Sequence, residues 1–284
     1  MEIIVGQLSG FCFGVNNAVT KALELIENKE NVYCLGELIH NKGINANLEK
    51  HGVKIVEKIE EVPCGAKLII RAHGVPPEVY EKARNNQNEL YDYTCPNVIK
   101  IHNQIEEKRQ NNYIFILGGK KHPETIGHKG FSRDKSFIIE TEDDIEEAIS
   151  RLKNSKMKSL YIVAQTTFSV TKFEKIVNEI SKKLNGYEIE INKSICAATQ
   201  NRQAEAEELS KKVDYMIIIG GKNSANTIKL YEISKQNCPS IHIENKDELN
   251  LEEIKKYNKI GITAGASTPK ENIQEVLQIL EEIK

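Results

Sequence analysis

The sequence predicts an α/β fold made of three similar α/β units packed around a common centre. Three observations support this prediction. Short apolar runs alternate with amphipathic helical stretches, a cysteine opens a helix at three places, and a strand ending in glycine follows each cysteine at a nearly constant distance. Strands that alternate with helices are typical of α/β units with mainly parallel sheets.

The predicted elements follow one another along the whole chain. Each strand is a short apolar run, and each helix carries apolar residues three and four positions apart. The predicted strands are Glu2–Val5, Asn31–Leu35, Lys67–Arg71, Tyr113–Leu117, Leu160–Val163, Tyr215–Ile219 and Lys259–Thr263. The predicted helices include Asn17–Glu27, Val98–Gln110, Lys172–Leu184 and Gln203–Lys211.

The repeat is visible in the spacing of cysteine, glycine and alanine. The segments GFCFGVNNAV, YTCPNVIKIH and SICAATQNRQ contain Cys12, Cys95 and Cys196. Strand glycines follow after 24, 23 and 24 residues, at Gly36, Gly118 and Gly220. A later strand in each unit ends in alanine, at Ala72, Ala164 and Ala264. Three matched spacings indicate homologous units, which we place at 13–95, 96–193 and 194–284. Residues 1–12 are predicted to form a lone strand that brings Cys12 to the centre.

Composition excludes several classes of protein. The 284 residues carry a net charge of −2, so a nucleic-acid partner is not indicated. No apolar run reaches the roughly 18 residues of a membrane helix, and no signal peptide begins the chain. We therefore expect a cytoplasmic protein without disulfides. None of the six cysteines forms a C-x-x-C pair, so a metal site must gather cysteines from distant parts of the sequence.

The loops after the strand glycines and alanines carry matching polar residues. Ligands of α/β sheets bind beyond the carboxyl ends of the strands, so these loops are the candidate site. His, Ser, Thr and Asn side chains with helix N-terminal amides favour a phosphate or diphosphate. The residues are His40, His122 and Ser224 with Glu124 and Asn226 after the glycines, and His73, Thr166, Thr167 and Ser267 after the alanines.

Glu124 is the carboxylate of this set. Beside a bound anion and away from water its pKa should rise, which suits it to deliver a proton. Four histidines lack a matching position and are interpreted as structural or solvated; these are His51, His102, His128 and His242.

The three repeat cysteines are the candidate metal ligands. A helix N-terminus is a favourable place for a thiolate, and three thiolates could hold zinc or an iron–sulfur cluster with one free iron. The other cysteines are expected in the core (Cys34) or in turns (Cys64 and Cys238). We expect Phe11 and Phe13 to form part of a wall that excludes water from Cys12.

The chain resembles the 4-hydroxy-3-methylbut-2-enyl diphosphate reductases, the last enzymes of the methylerythritol phosphate route to isoprenoids. The segments that carry the resemblance are GFCFGV, ELIHN, AHGV, DYTCP, GGKKHPE, AQTTFSV, CAATQNRQ, GGKNSAN and TAGASTP, in family order. The resemblance implies a trefoil-like arrangement around a 4Fe-4S cluster with three cysteine ligands, Cys12, Cys95 and Cys196, and one open iron. It implies reductive dehydroxylation of the substrate to isopentenyl and dimethylallyl diphosphate.

The resemblance also assigns roles to the loop residues. Glu124, Thr166 and His122 are the implied proton-supplying residues. The implied substrate-binding positions are His40, His73, His122, Thr166, Ser224, Ala225, Asn226 and Ser267. Ala225 departs from the family, which often has serine there, so we expect a lost or rearranged hydrogen bond. A ferredoxin or flavodoxin is the implied electron donor, and we expect a monomer.

Three other functions fit the same residues. A non-redox hydro-lyase would use the open iron only as a Lewis acid and would need no reductant. A phosphate-binding sensor would keep the cluster and the ligand without turnover. A zinc protein would use the three cysteines alone.

Overall fold

The computed structural model describes residues 1–27 and 31–283. The predicted units 13–95 and 194–284 also include residues 28–30 and 284, which lie outside the described residues. The chain forms two compact units. The first unit comprises Met1–Asn16, Ile39–Asn47 and Ala197–Lys284, and the second comprises Asn17–Leu38 and Leu48–Cys196. Within the described ranges, no helix has the length and apolar character that crossing a membrane requires.

Strands and helices alternate through the described chain. The strands are β1 (Glu2–Val5), β2 (Val32–Leu35), β3 (Lys54–Val56), β4 (Lys67–Ile70), β5 (Glu89–Asp92), β6 (Tyr113–Leu117), β7 (Ser136–Ile139), β8 (Ser159–Ala164), β9 (Glu188–Ile191), β10 (Tyr215–Ile219), β11 (Ser240–Ile243) and β12 (Lys259–Ala264). The α-helices are α1 (Phe13–Ile26), α2 (Lys42–Lys50), α3 (Pro77–Asn85), α4 (Pro96–Lys108), α5 (Pro123–Ser132), α6 (Ile145–Asn154), α7 (Val170–Lys183), α8 (Ala197–Ser210), α9 (Ala225–Ser234), α10 (Leu251–Ile254) and α11 (Lys270–Glu282).

The strands form three four-stranded parallel sheets, which confirms the predicted α/β fold with three repeated units. The second unit contains two of them, in the orders β3-β2-β4-β5 and β7-β6-β8-β9. The first unit contains the third sheet, in the order β11-β10-β12-β1. Each sheet therefore has the same strand order, and β1 takes the edge position that β5 and β9 take in the others.

The N-terminal strand is not the lone strand predicted from the sequence. β1 pairs in parallel with β12, in a register that runs from Glu2 opposite Lys259 to Val5 opposite Ile262. In each sheet the edge strand at this position leads to a repeat cysteine. The equivalence of β1 to β5 and β9 could not be predicted from the sequence, because β1 is far in sequence from its partner strand β12.

The central strands are buried on both faces, which is why they appear as continuous apolar runs in the sequence. In β6, Tyr113, Phe115 and Leu117 face the core formed with α6 and α7. Ile114 and Ile116, which alternate with them, pack against α4 on the other face. Each such side chain contributes roughly 1.5–3 kcal/mol through burial.

Five short edge strands were not predicted. They are β3, β5, β7, β9 and β11. β9 shows the reason: in Glu188–Ile191 charged and apolar residues alternate over four positions, and most of its side chains are exposed. Charges on an edge strand protect it from pairing with another chain, and they also weaken the apolar signal.

Candidate active site

The three repeat cysteines occupy equivalent places in the backbone. Each lies at the start of a helix. The backbone N–H of each cysteine donates to a carbonyl in the loop that follows β4, β8 or β12. Cys12 donates to Ala266 O at 3.1 Å, Cys95 to Ala72 O at 2.9 Å and Cys196 to Thr166 O at 3.0 Å. The repeat in sequence is thus a repeat in hydrogen bonding.

The remaining cysteines differ from these three in exposure or position. Cys34 is fully buried in β2, as predicted, and burial raises the pKa of its thiol to about 12 although the Arg71 charge opposes the rise. Cys64 is exposed in a turn, as predicted. Cys12, Cys95 and Cys196 are partly exposed.

The predicted wall around Cys12 does not form as expected. The side chain of Phe13 is 78% exposed, because it lies on the outer face of the first turn of α1. Phe11 and Phe13 instead border an open cleft of about 520 Å³, together with Cys12 and Lys270.

The glycine loops place two predicted residues at helix N-caps. His122 caps α5 by accepting from the Glu124 N–H at 3.2 Å, and Ser224 caps α9 by accepting from the Thr227 N–H at 3.4 Å. In the first repeat, however, α2 begins one residue further from the strand glycine than α5 and α9 do, and Asn41 accepts from the Ile44 N–H. His40 is therefore not equivalent to His122 and Ser224, although the spacing from the glycine is the same.

Glu124 and Thr166 form a two-point contact in the second unit. The Thr166 N–H donates to Glu124 Oε1 at 2.6 Å, and its hydroxyl donates to Oε2 at 2.8 Å. Both residues are buried, with exposed fractions of 1% and 7%. The same Thr166 carbonyl accepts from Cys196, so one loop links the candidate acid to a candidate metal ligand.

The pKa of Glu124 lies below its ordinary value in this structure, and the rise expected beside a bound anion stays a prediction. Burial is the largest single effect and raises the pKa. The contact with His128, the charges of His128 and His122 and the hydrogen bond from the Thr166 N–H together outweigh it. The net result is a pKa below the ordinary value, so Glu124 is a carboxylate at neutral pH.

His122 lies beside His73. Their ring centroids are 5.4 Å apart and the planes are nearly perpendicular. Because His122 Nδ1 accepts from the Glu124 N–H, the neutral ring carries its proton on Nε2. His122 therefore presents an N–H donor that an anion can bind.

The first unit holds the other predicted binding residues. The Ser267 hydroxyl donates to the His40 carbonyl at 3.1 Å. Asn226 lies in the first turn of α9 and is 3% exposed, yet neither Oδ1 nor Nδ2 has a hydrogen-bond partner within residues 1–27 and 31–283. An amide buried in this state carries a desolvation cost of about 1–3 kcal/mol, which a bound polar ligand removes. Ala225 opens the same turn, where the first backbone N–H groups have no partner in the helix.

Two histidines interpreted as structural or solvated lie against this site. His128 is completely buried, and its Nε2 lies 3.3 Å from Glu124 Oε1. His102 is 3% exposed and contacts His128 edge to face. The i,i+4 spacing of Glu124 and His128 is the signal that could have found this pair, once a helix is predicted from Pro123. His51 is exposed, as expected.

The comparisons with known proteins agree over nearly the whole chain. A family model described as LytB protein matches residues 3–281. The chain belongs to the LytB protein family.

Relatives of this LytB chain are reductases by name. It is 44% identical over its full length to the 4-hydroxy-3-methylbut-2-enyl diphosphate reductase of Clostridioides difficile, which it also covers completely. It is 40% identical to the reductase of the same name from Aquifex aeolicus, with 100% of this chain and 97% of the relative covered.

A solved structure shares the LytB fold. The reductase from Plasmodium falciparum, named for E-1-hydroxy-2-methyl-but-2-enyl-4-diphosphate, superposes with a TM-score of 0.90 at 31% identity, over 98% of this chain and 87% of that one.

The donor set of this LytB chain fits an iron–sulfur cluster. Cysteine sulfur is the usual ligand of such clusters, and the three repeat cysteines offer it from partly exposed positions at helix starts. Cys34, by contrast, is buried in the core, and its raised pKa keeps the thiol neutral.

Proposed function

We propose that this LytB protein reduces (E)-4-hydroxy-3-methylbut-2-enyl diphosphate to isopentenyl diphosphate and dimethylallyl diphosphate. The reaction breaks the allylic C–O bond and forms a C–H bond. It consumes two electrons and two protons, of which one proton joins the departing hydroxyl to give water and the other joins an allylic carbon. The full-length similarity to reductases of this name supports the substrate. One observation in the site carries the chemistry: a buried carboxylate and hydroxyl, Glu124 and Thr166, are bonded to each other and linked to the backbone of Cys196.

We assign Cys12, Cys95 and Cys196 as the ligands of a 4Fe-4S cluster with one open iron. When bound, this cluster supplies the electrons and a Lewis-acid iron for the substrate hydroxyl. The equivalent backbone hydrogen bonds of the three cysteines support the assignment, because each bond fixes where the ligand enters its helix.

The diphosphate is bound by neutral polar groups, histidines and helix N-termini. The buried amide of Asn226 supports this role, since the ligand would supply its missing hydrogen bonds. The Ala225 N–H in the same turn donates where the helix provides no acceptor. The side chains that we assign to diphosphate binding are those of His40, His73, His122, Ser224, Asn226 and Ser267.

Proton delivery uses Thr166 and Glu124. The Thr166 hydroxyl gives its proton to the departing hydroxyl of the substrate, and Glu124, bonded to that same hydroxyl, replaces it. Glu124 must first take up a proton. A diphosphate bound beside His122 brings negative charge close to Glu124 and so raises the pKa of its carboxyl, and proton uptake therefore follows from substrate binding.

The electrons come from a small redox protein, a ferredoxin or a flavodoxin. The sequence supports an external donor because neither GGKKHPE nor GGKNSAN has the pattern of a nucleotide-binding loop. We also propose that the protein acts as a monomer in the cytoplasm.

Anaerobic purification tests the proposal. We expect iron and sulfide in a 4Fe-4S ratio, an electron paramagnetic resonance signal after reduction, and conversion of the substrate that requires a reductant. Cys95→Ser should lose the cluster, whereas the matched control Cys238→Ser should keep it. Zinc in the purified protein, or equal cluster loss in both variants, would contradict the ligand assignment. Turnover without a reductant would favour a hydro-lyase.

A further inference from the structure

Three neighbouring rings, those of His128, His102 and Phe131, lie behind Glu124 in the second unit, and the proposed reaction does not use them. His128 is on the same helix as Glu124, one turn further on, with its Nε2 3.3 Å from Glu124 Oε1. Its side chain has no exposed surface. A histidine is rarely buried completely without a specific contact, and here that contact is the carboxylate.

The ring of His128 is held in place by His102. The two ring centroids are 5.1 Å apart at an interplanar angle of 83°. His102 stacks on Phe131 with centroids 4.1 Å apart. The edge of the His102 ring lies against two glycines. A Cβ at Gly74 would lie 2.7 Å from His102 Cε1, and a Cβ at Gly127 would lie 3.1 Å from His102 Nε2. The ring therefore occupies a slot that only glycines leave open.

The carboxylate of Glu124 contacts two residues, Thr166 and His128. Thr166 donates to both oxygens of Glu124, from its amide to Oε1 and from its hydroxyl to Oε2. His128 approaches the remaining side of Oε1. The fully buried His128 ring therefore packs against this side of the carboxylate and leaves it little freedom for rotation.

The charged groups around Glu124 make His128 its main electrostatic partner. On its own helix, His128 and His122 face it, and both lower the pKa of Glu124. From α4 the facing group is His102, which stays neutral because burial, aided by the charge of His128, lowers its pKa to about 3. The loop after β8 contributes the uncharged Thr166.

We propose that His128 is a positioning residue for this reaction: it holds the Glu124 carboxylate in its two-point contact with Thr166. His128 acts through Glu124 and does not touch the substrate. The kinetic consequence rests on the proposed reductase function, whereas the effect on Glu124 does not.

The test uses cluster-loaded His128→Gln and His128→Asn, with His51→Gln as the matched control at an exposed histidine. In the infrared spectrum, the band of protonated Glu124 is the one that Glu124→Gln removes. We expect this band to appear at a higher pH in the His128 variants, because they lack the neighbouring positive charge. We expect kcat to fall about tenfold with KM unchanged, and the alkaline limb of the kcat profile, along which Glu124 loses its proton, to move to higher pH as well.

Separate readouts keep the two proposals distinguishable. An unchanged infrared titration in a folded His128 variant overturns the positioning role. So does a rise in KM with an unchanged kcat profile. If both variants fail to fold, ¹⁵N resonances of His128 in wild type and Glu124→Gln decide: the same titration in both overturns the contact, and a shifted one supports it. Absence of reductase activity in the wild type rejects the reaction and leaves the infrared and NMR tests intact.

Discussion

The neutral state of His102 predicts a specific loss of stability in mild acid. Burial lowers the pKa of His102 from 6.5 to about 3, aided by the positive charge of His128. The unfolded chain takes up this proton near pH 6.5 and the folded protein does not. A lowered pKa therefore gives stability that is present above pH 6.5 and is lost as the pH falls towards 3.

The size of the effect follows from the same two values. A shift from 6.5 to about 3 corresponds to roughly 5 kcal/mol over the whole window, at about 1.36 kcal/mol for each tenfold change in proton affinity. Between pH 7.5 and pH 5 the wild-type protein should lose about 2 kcal/mol of unfolding free energy through this group.

The assay is urea unfolding followed by circular dichroism at several pH values from 7.5 to 5. His102→Gln removes the titrating ring, so its unfolding free energy should fall by about 2 kcal/mol less than that of the wild type over this window. The absolute stability of the variant is not the measurement, because losing the stacked ring lowers it at every pH. His51→Gln, at an exposed position, should keep the wild-type slope. Parallel pH curves for wild type and His102→Gln would show that His102 does not cause the loss of stability in acid.

Two further predictions concern the site itself. Glu124→Gln should keep the cluster and bind substrate but lower kcat about a hundredfold or more, because the amide keeps one acceptor oxygen but supplies no acid proton; anaerobic steady-state kinetics measure this, and a wild-type rate would remove Glu124 from the proton path. Ala225→Ser should lower KM about fivefold at unchanged kcat, since one added hydrogen bond contributes about 1 kcal/mol; an unchanged KM would show that no substrate oxygen lies within reach of that side chain.

The repeated fold was predictable because the central strands can be identified from their apolar sequence alone. β6 and β10 are buried on both faces, so each appears as five consecutive apolar or aromatic residues. The cysteine spacings then identified the units. The edge strands were not predictable in the same way, because strands such as β9 alternate charged and apolar residues over a length too short for a periodic signal.

The candidate site was predictable in its residue types but not in its electrostatics. Equivalent spacing pointed to His122, Glu124 and Thr166, and the structure joins Glu124 to Thr166. The lowered pKa of Glu124 could not be predicted, because it depends on His128, and a contact between these two residues requires a helix through both. A count of spacings also could not show that α2 starts one residue late, which moves the N-cap from His40 to Asn41.

The pairing of β1 with β12 constrains the order in which the chain can fold on the ribosome. Residues 2–5 are synthesised long before their partner strand, Lys259–Ala264. The second unit has both of its sheets complete once Cys196 has been synthesised, so it can fold while translation continues. The third sheet must wait until β12 has been synthesised, and closing so long a loop is slow. Cys12, the first repeat cysteine to be translated, is therefore the last to reach its final place.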